Sequence, residues 1–138
     1  MPLKIQLKKS QKIIINGAVL ENASQRSVSL LIANDAAILR DSDILTPEDA
    51  VTPASRTYYA LQCMYVFPGT DDNPHHKQFM SFLDNYEKAA PSSRLITSAV
   101  REMVEQSDLY HALKKCQELI FHEKELLADV QEELSSQL

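Results

Sequence analysis

A chain of 138 residues with 44% apolar content is long enough for one ordinary domain, or two joined subdomains, around a real core. Its net charge of −5 works against nucleic-acid binding over the molecule as a whole, and its two glycines, Gly17 and Gly69, are too few and too far apart for a glycine-rich nucleotide loop. No run approaches the roughly eighteen apolar residues of a membrane span, and no signal-peptide stretch follows the first lysines, so a cytoplasmic protein without a membrane partner is expected.

The first elements read as strands. Leu3, Ile5 and Leu7 alternate with Lys4 and Gln6, the period of a half-buried strand. Lys8 to Gln11 is a polar turn, and Lys12 to Ile15 is a β-branched run that stops at Asn16-Gly17, a strong tight-turn signal. Ala18 to Glu21 restarts a strand, Asn22 to Gln25 turns again, Val28, Leu30 and Ile32 alternate, and Ala37 to Arg40 makes a last short strand. Four or five such strands predict a small antiparallel meander or barrel-like sheet. Asp41 to Val51 is an acidic crossing with one helical turn at Thr46-Pro47, and the same signature at Thr52-Pro53 starts a true helix over Ala54 to Phe67. That helix is apolar nearly all round and belongs in the centre. Pro68-Gly69 ends it, and Thr70 to Pro74 is a polar loop. A second helix runs to about Ala89 with Phe79, Phe82, Leu83 and Tyr86 on one stripe. A third follows Pro91, with Ser92 as its cap and Leu95, Ile96, Ala99, Val100 and Met103 as its apolar set. A fourth runs from about Ser107 through Leu127 toward Leu134, with Leu109, Leu113, Cys116 and Ile120 at spacings of three and four and Leu127 seven further on. Its length fits packing along the whole bundle or pairing with a second copy. The fold class is therefore α+β, with a basic β-subdomain over residues 1–45 and a bundle of about four helices over 46–138.

Charge divides along the same line. Met1 to Arg26 holds five Lys/Arg and one Glu, while Leu61 onward holds seven Lys/Arg and thirteen Asp/Glu. Separated charge with no evident active site suits a protein that holds partners rather than one that turns over a substrate. Lys4, Lys8, Lys9, Lys12, Arg26 and Arg40 are the candidate RNA contacts; a curled sheet would bring all six to one rim, where phosphates meet long cations and an arginine can stack on a base. The same lysines equally suit a fringe that discourages strand pairing, and no aromatic residue interleaves with them. Cys63 and Cys116 read as reduced core residues without a base at activating spacing. His75-His76, near Asp71 and Asp72, reads as an exposed polar stretch rather than a metal site, and His111 and His122 are too far apart on one helix to share an ion. No catalytic residue, cofactor, metal or small-molecule substrate is expected. The carboxylates Glu123, Glu125, Asp129, Glu132 and Glu133, interrupted by Lys124 alone, read as a solvated face or as a docking surface for a basic partner.

Several segments carry a family likeness. Met1-Pro2-Leu3-Lys4, Ile15 to Asn22, Ile38-Leu39-Arg40, Asp43-Ile44, Thr52-Pro53-Ala54, Tyr58 to Tyr65 and Tyr110 to Ile120 stand in the order and spacing of the FlbT family of flagellar regulators. The chain resembles that family up to about Glu123. The resemblance implies a non-enzymatic, post-transcriptional role: association with the 5′ untranslated region of flagellin mRNA and control of its translation and decay during flagellum assembly. It also implies a link to the small partner FlaF. The competing expectation is a protein-binding adaptor that acts through flagellin or FlaF and touches RNA only indirectly. The first forty residues are also similar to RNA regulators of the carbon-storage type, on Val28 to Ile32, Ala33-Asn34 and Ile38-Leu39-Arg40. That likeness carries over Lys4 and Arg40 as RNA contacts and raises the expectation of a homo-oligomer, a dimer or tetramer.

Overall fold

The alternating residues of the first forty positions do form strands. The computed structural model describes residues 2–67 and 74–136. Its strands are β1 (Leu3–Leu7), β2 (Lys12–Ile15), β3 (Ala18–Glu21), β4 (Val28–Ile32) and β5 (Ile38–Arg40), and four helices follow, so the chain is α+β. The Asn16-Gly17 turn has both residues at positive φ, 49° and 84°, and closes the β2–β3 hairpin with Ile15 opposite Ala18. Both positive values match the right-handed twist of the flanking strands, which is why this dipeptide starts hairpins.

The strands form two antiparallel sheets rather than one continuous meander. β1 pairs with β4, Leu3 opposite Ile32 through Leu7 opposite Val28, and the second sheet has the order β3-β2-β5. The turn after β1 explains the split. Gln11 N donates to Lys8 O, but Ser10 N donates to Asn22 O and Gln11 O accepts from Asn22 N, so the turn delivers the chain to the end of β3 and not back along β1. Ile5, Leu7 and Ile13 are buried together, with Ile15, Val28, Leu30, Ile32 and Ile38 packed around them. This cluster is the ribbon's own small core. Leu3 falls outside it and is partly exposed.

Helix α1 (Pro53–Val66) opens with a capping box: Thr52 Oγ1 accepts from Ser55 N, and Ser55 Oγ accepts from Thr52 N. Two orphan donors are satisfied reciprocally, with proline in the first turn where it costs no hydrogen bond. The helix is buried on most sides between α2 (Pro74–Ala89) and α4 (Leu109–Ser136). Short 3-10 turns stand at Asp41–Asp43, at Pro47–Asp49 and at Pro91–Ser93. The last of these moves the start of α3 to Arg94, so Ser92 does not cap it. Leu95, expected on the buried stripe of α3 (Arg94–Glu105), is 89% exposed, and Thr97, Val100 and Val104 face inward instead. Asp108 stands at the start of α4, its carbonyl accepting from Ala112 N.

The larger core gathers Phe79, Leu61, Leu83, Leu113 and Leu119 from the helices together with Ile14 and Leu39 from the second sheet. Cys63 and Cys116 are buried and free, and burial pushes the Cys116 thiol up to about 12 and the Cys63 thiol up as well, which keeps both unreactive. The stop at Pro68-Gly69 and the acids Asp71 and Asp72 lie outside the described residues. Among the described residues no group of His, Cys, Asp and Glu is placed to hold a metal ion, and no helix is long and apolar enough to cross a membrane.

Candidate nucleic-acid interface

The six cations of the ribbon are all exposed. Among the described residues none of them is in an ion pair. Over residues 2–40 they face only Glu21 and Asp35, so this segment is positive on a molecule whose total charge is negative. Unpaired surface cations keep their full attraction for phosphate, since no carboxylate must be displaced first.

Strand parity places Lys4, Lys12 and Arg40, which lie in β1, β2 and β5. Lys4 and Gln6 alternate with the buried Ile5 and Leu7 and stand on the exposed face of β1. Arg40 lies opposite Ile13 in the β2–β5 ladder, and with Gln6, Gln11, Asp41 and Ser42 it lines a shallow cavity of about 150 Å³ beside β1. Lys8 and Lys9 occupy the turn that follows β1. Arg26 is brought to the same end by Asn22, a buried side chain that sequence reading left unassigned. Asn22 Nδ2 donates to Leu7 O at 2.9 Å and to Arg26 O at 2.8 Å, while its Oδ1 accepts from Ser24 N and Ser24 Oγ. The loop carrying Arg26 is therefore tied to the end of β1. Lys12 is set apart. It shares the helix-facing side of β2 with Ile14 and lines a different groove of about 350 Å³ with Val19, Tyr59, Cys63, Val66 and Phe67. Lys8, Lys9 and the backbone of Arg26 thus stand at the end of β1, Arg40 lines the cavity beside it, and Lys12 lines a different groove.

Segment 38–45, which carries Arg40, is held by one polar stripe of the otherwise apolar α1. Tyr65 Oη accepts from Ile38 N at 3.1 Å and donates to Ile38 O at 3.0 Å. Gln62 accepts from Leu45 N and donates to Leu45 O, and Tyr58 Oη donates to Asp43 O. These side chains satisfy the outer edge of β5 and the turn after it, groups that a strand neighbour would otherwise have to meet. Asp43 is itself buried, and its carboxylate accepts from Lys114 Nζ at 2.7 Å and Gln117 Nε2 at 2.9 Å. Burial pushes the Tyr58 hydroxyl well above its ordinary value, so it stays a donor at any working pH. An aromatic surface absent from the local sequence pattern arises at the same joint. The Tyr110 ring, 41% exposed, lies 6.2 Å from that of Tyr65 and 5.5 Å from that of His111. The pair comes from α1 and α4, which is why no reading of neighbouring positions finds it.

Fold and surface together define a class: an α+β protein whose cationic strand ribbon is mounted on a negatively charged helical bundle. The profile of the family described as flagellar protein FlbT matches residues 3–127, and the chain belongs to that family. It is similar to the probable flagellum biosynthesis repressor protein FlbT 1 of Bradyrhizobium diazoefficiens, with 39% identity over 126 residues, 91% of this chain and 85% of the relative. It is also similar to the probable flagellum biosynthesis repressor protein FlbT of Rhodopseudomonas palustris, with 37% identity over 93% of this chain and 99% of the relative. The flagellum biosynthesis repressor protein FlbT of Caulobacter vibrioides is 30% identical over 99% of this chain and 96% of its own length. No solved structure matches the chain.

Proposed function

We propose that this protein regulates flagellin synthesis after transcription, by binding the 5′ untranslated region of flagellin mRNA through residues 1–45 and controlling its translation and decay during flagellum assembly. Residues 46–138 form the helical unit that carries the ribbon. The observation that carries this reading is the set of unpaired cations along β1, with Arg40 and Gln6 lining one shallow cavity. Repression is the expected sign, because the similar proteins are named as repressors of flagellum biosynthesis. No bond is made or broken: binding would cover a ribosome site or remodel a hairpin.

The test is binding of the purified protein to a labelled flagellin leader RNA at two salt concentrations, against a scrambled leader of equal length. Arg40→Ala is expected to cost about 1–3 kcal/mol and to erode the preference for the true leader. Lys4→Ala should weaken both RNAs alike and lower the salt slope by about 0.7, the release expected for one phosphate contact on a single strand. Equal affinity for the two leaders, or unchanged binding by both variants, would overturn the assignment.

A second reading is favoured by the exposed apolar residues of α4, Leu127, Val130 and Leu134. In it the helical unit binds a flagellar protein, flagellin or FlaF, and the effect on RNA is indirect. Co-purification of such a protein that survives nuclease treatment supports it, and its absence counts against it.

A further inference from the structure

Strand β3 has a partner on one side only. It stands at the end of the β3-β2-β5 sheet, and all four of its residues are exposed, Val19 at 63% and Leu20 at 43%. The hairpin fixes which of its backbone groups are free. Ile15 faces Ala18 across the two-residue Asn16-Gly17 turn, so Ala18 is the first residue hydrogen-bonded to β2 and Leu20, two positions on, is the next. Asn22 keeps this parity: its N donates to Gln11 O, and its O accepts from Ser10 N. Val19 and Glu21 therefore turn their N–H and C=O groups away from β2, and among the described residues nothing meets them there.

The far end of the sheet is closed differently, because Tyr65 Oη meets the outward N–H and C=O of Ile38. β3 has no such cover for Val19 and Glu21. It contains no proline and no lysine, and Val19 and Leu20 put an apolar residue on each of its faces. An edge of this kind is a template for another strand.

The length of the free run selects that strand. Only residues 19–21 are available: Gly17 lies in the turn at φ 84°, and past Asn22 the chain leaves in the loop that carries Arg26. A second β3, antiparallel about a twofold axis through Leu20, matches this run. Val19 then faces the copy's Glu21 at both ends, and the outward groups of both edges are used in mutual hydrogen bonds. Leu20 meets the copy's Leu20 on the axis as a non-hydrogen-bonded pair, the closer kind, with Cα atoms about 4.5 Å apart. Lys12 stays opposite Glu21 within each hairpin and offsets the carboxylates brought toward the axis. A shift of register by two residues sets Glu21 against its own copy, like charges directly opposite, or lays it over the copy's Gly17 turn. A longer strand from another protein overhangs the turn at one end and the loop at the other.

We propose that this protein self-associates through β3, two copies joining their three-stranded sheets across a twofold axis at Leu20. The paired sheet carries both ribbons, and so two sets of exposed cations, on one particle. The inference depends on neither the RNA reading nor the protein-binding reading. Two four-residue strands bury less than the roughly 1,200 Å² of a stable standard interface, so the dimer forms and dissociates with concentration.

The test is sedimentation of the full chain over a concentration series, together with oxidation of single cysteines introduced at the edge. Wild type should show a monomer–dimer equilibrium. Val19→Pro removes an outward N–H and no hairpin bond, and it should weaken association at least tenfold with the circular-dichroism spectrum unchanged. Leu20→Cys should form an intermolecular disulfide on mild oxidation, because the separation on the axis lies within disulfide reach. Ala18→Cys should not, because its copy lies four residues away along the ladder, about 13 Å. Cys63 and Cys116 are buried, and wild type supplies the background. Should the proline variant fail to fold, the two cysteine variants still decide. A wild type that stays monomeric, a dimer that Val19→Pro leaves intact, or equal crosslinking at positions 18 and 20 overturns the proposal. So does a monomer that binds an extended peptide of alternating valine and lysine and loses it in Val19→Pro, because the occupant is then a strand of another protein.

Discussion

Gly17 and Asn22 hold the ribbon in shape by different means. Gly17 sits at φ 84°, where a side chain is strained, and an added Cβ would lie 3.0 Å from Val66 O and 3.2 Å from the Phe67 ring. The turn is pressed against the end of α1, so both the backbone conformation and the space require glycine. Gly17→Ala is expected to lower the unfolding free energy by about 1–2 kcal/mol or more, the cost of the left-handed conformation before any clash, as a shift in denaturant midpoint. Asn22 works through hydrogen bonds, each of its polar atoms engaged at two partners. Its value was hidden in the sequence, where Asn22 to Gln25 looks like any polar turn. Only the folded chain shows one buried amide joining β1 to the loop of Arg26.

At the scale of elements, the strands and helices follow from local pattern, and their pairing does not. Alternation placed β1 and β4, a β-branched run placed β2, and Asn16-Gly17 placed the hairpin, because those signals lie within a few residues of what they specify. The partnership of β1 with β4 depends on where the turn after β1 leads, which Asn22 sets from outside that turn. Leu95 shows the same limit on a helix: its apolar neighbours predict burial, but the 3-10 turn ahead of α3 fixes the phase and leaves Leu95 in solvent. The α2–α3 contact contains a pH-sensitive tie. Thr97 Oγ1 donates to Glu87 Oε1 at 2.7 Å, and Arg101 reaches Glu87 Oε2 and Asp84 Oδ1. The Thr97 hydroxyl, with Arg101 beside it, holds the Glu87 carboxyl below the usual carboxylate range. A lowered folded-state value gives stability that is present above the unfolded value and is lost as pH falls through the folded one. Glu87→Gln should therefore lower the thermal midpoint at pH 7, and the difference from wild type should shrink and vanish as the pH is taken below the carboxylate range.

The whole molecule joins a positive ribbon to a negative bundle, and Asp43 is the bond between them. It receives Lys114 and Gln117 from α4, and its carbonyl receives Tyr58 from α1. Asp43→Ala removes the carboxylate and leaves Lys114 Nζ and Gln117 Nε2 with fewer partners, while the carbonyl that receives Tyr58 is kept. It is expected to cost about 1.5–3 kcal/mol, the range for hydrogen bonds to a charged group, and to reduce leader binding only through the looser hold on segment 38–45. Urea denaturation together with the RNA titration separates the two effects: a variant that loses stability but binds as wild type at low temperature places Asp43 outside the interface. Composition, charge segregation, element types and the identity of the exposed cations were determined by the sequence alone, since each depends on residue chemistry or on spacing within a single element. The tertiary structure decided which strands pair, that Lys12 and Arg40 line different cavities, that Tyr58, Gln62 and Tyr65 hold the edge of β5 and the segment after it, and that α4 outruns its neighbours at residue 123. Those outcomes rest on contacts between residues distant in the chain, whose geometry is set only when the two cores close.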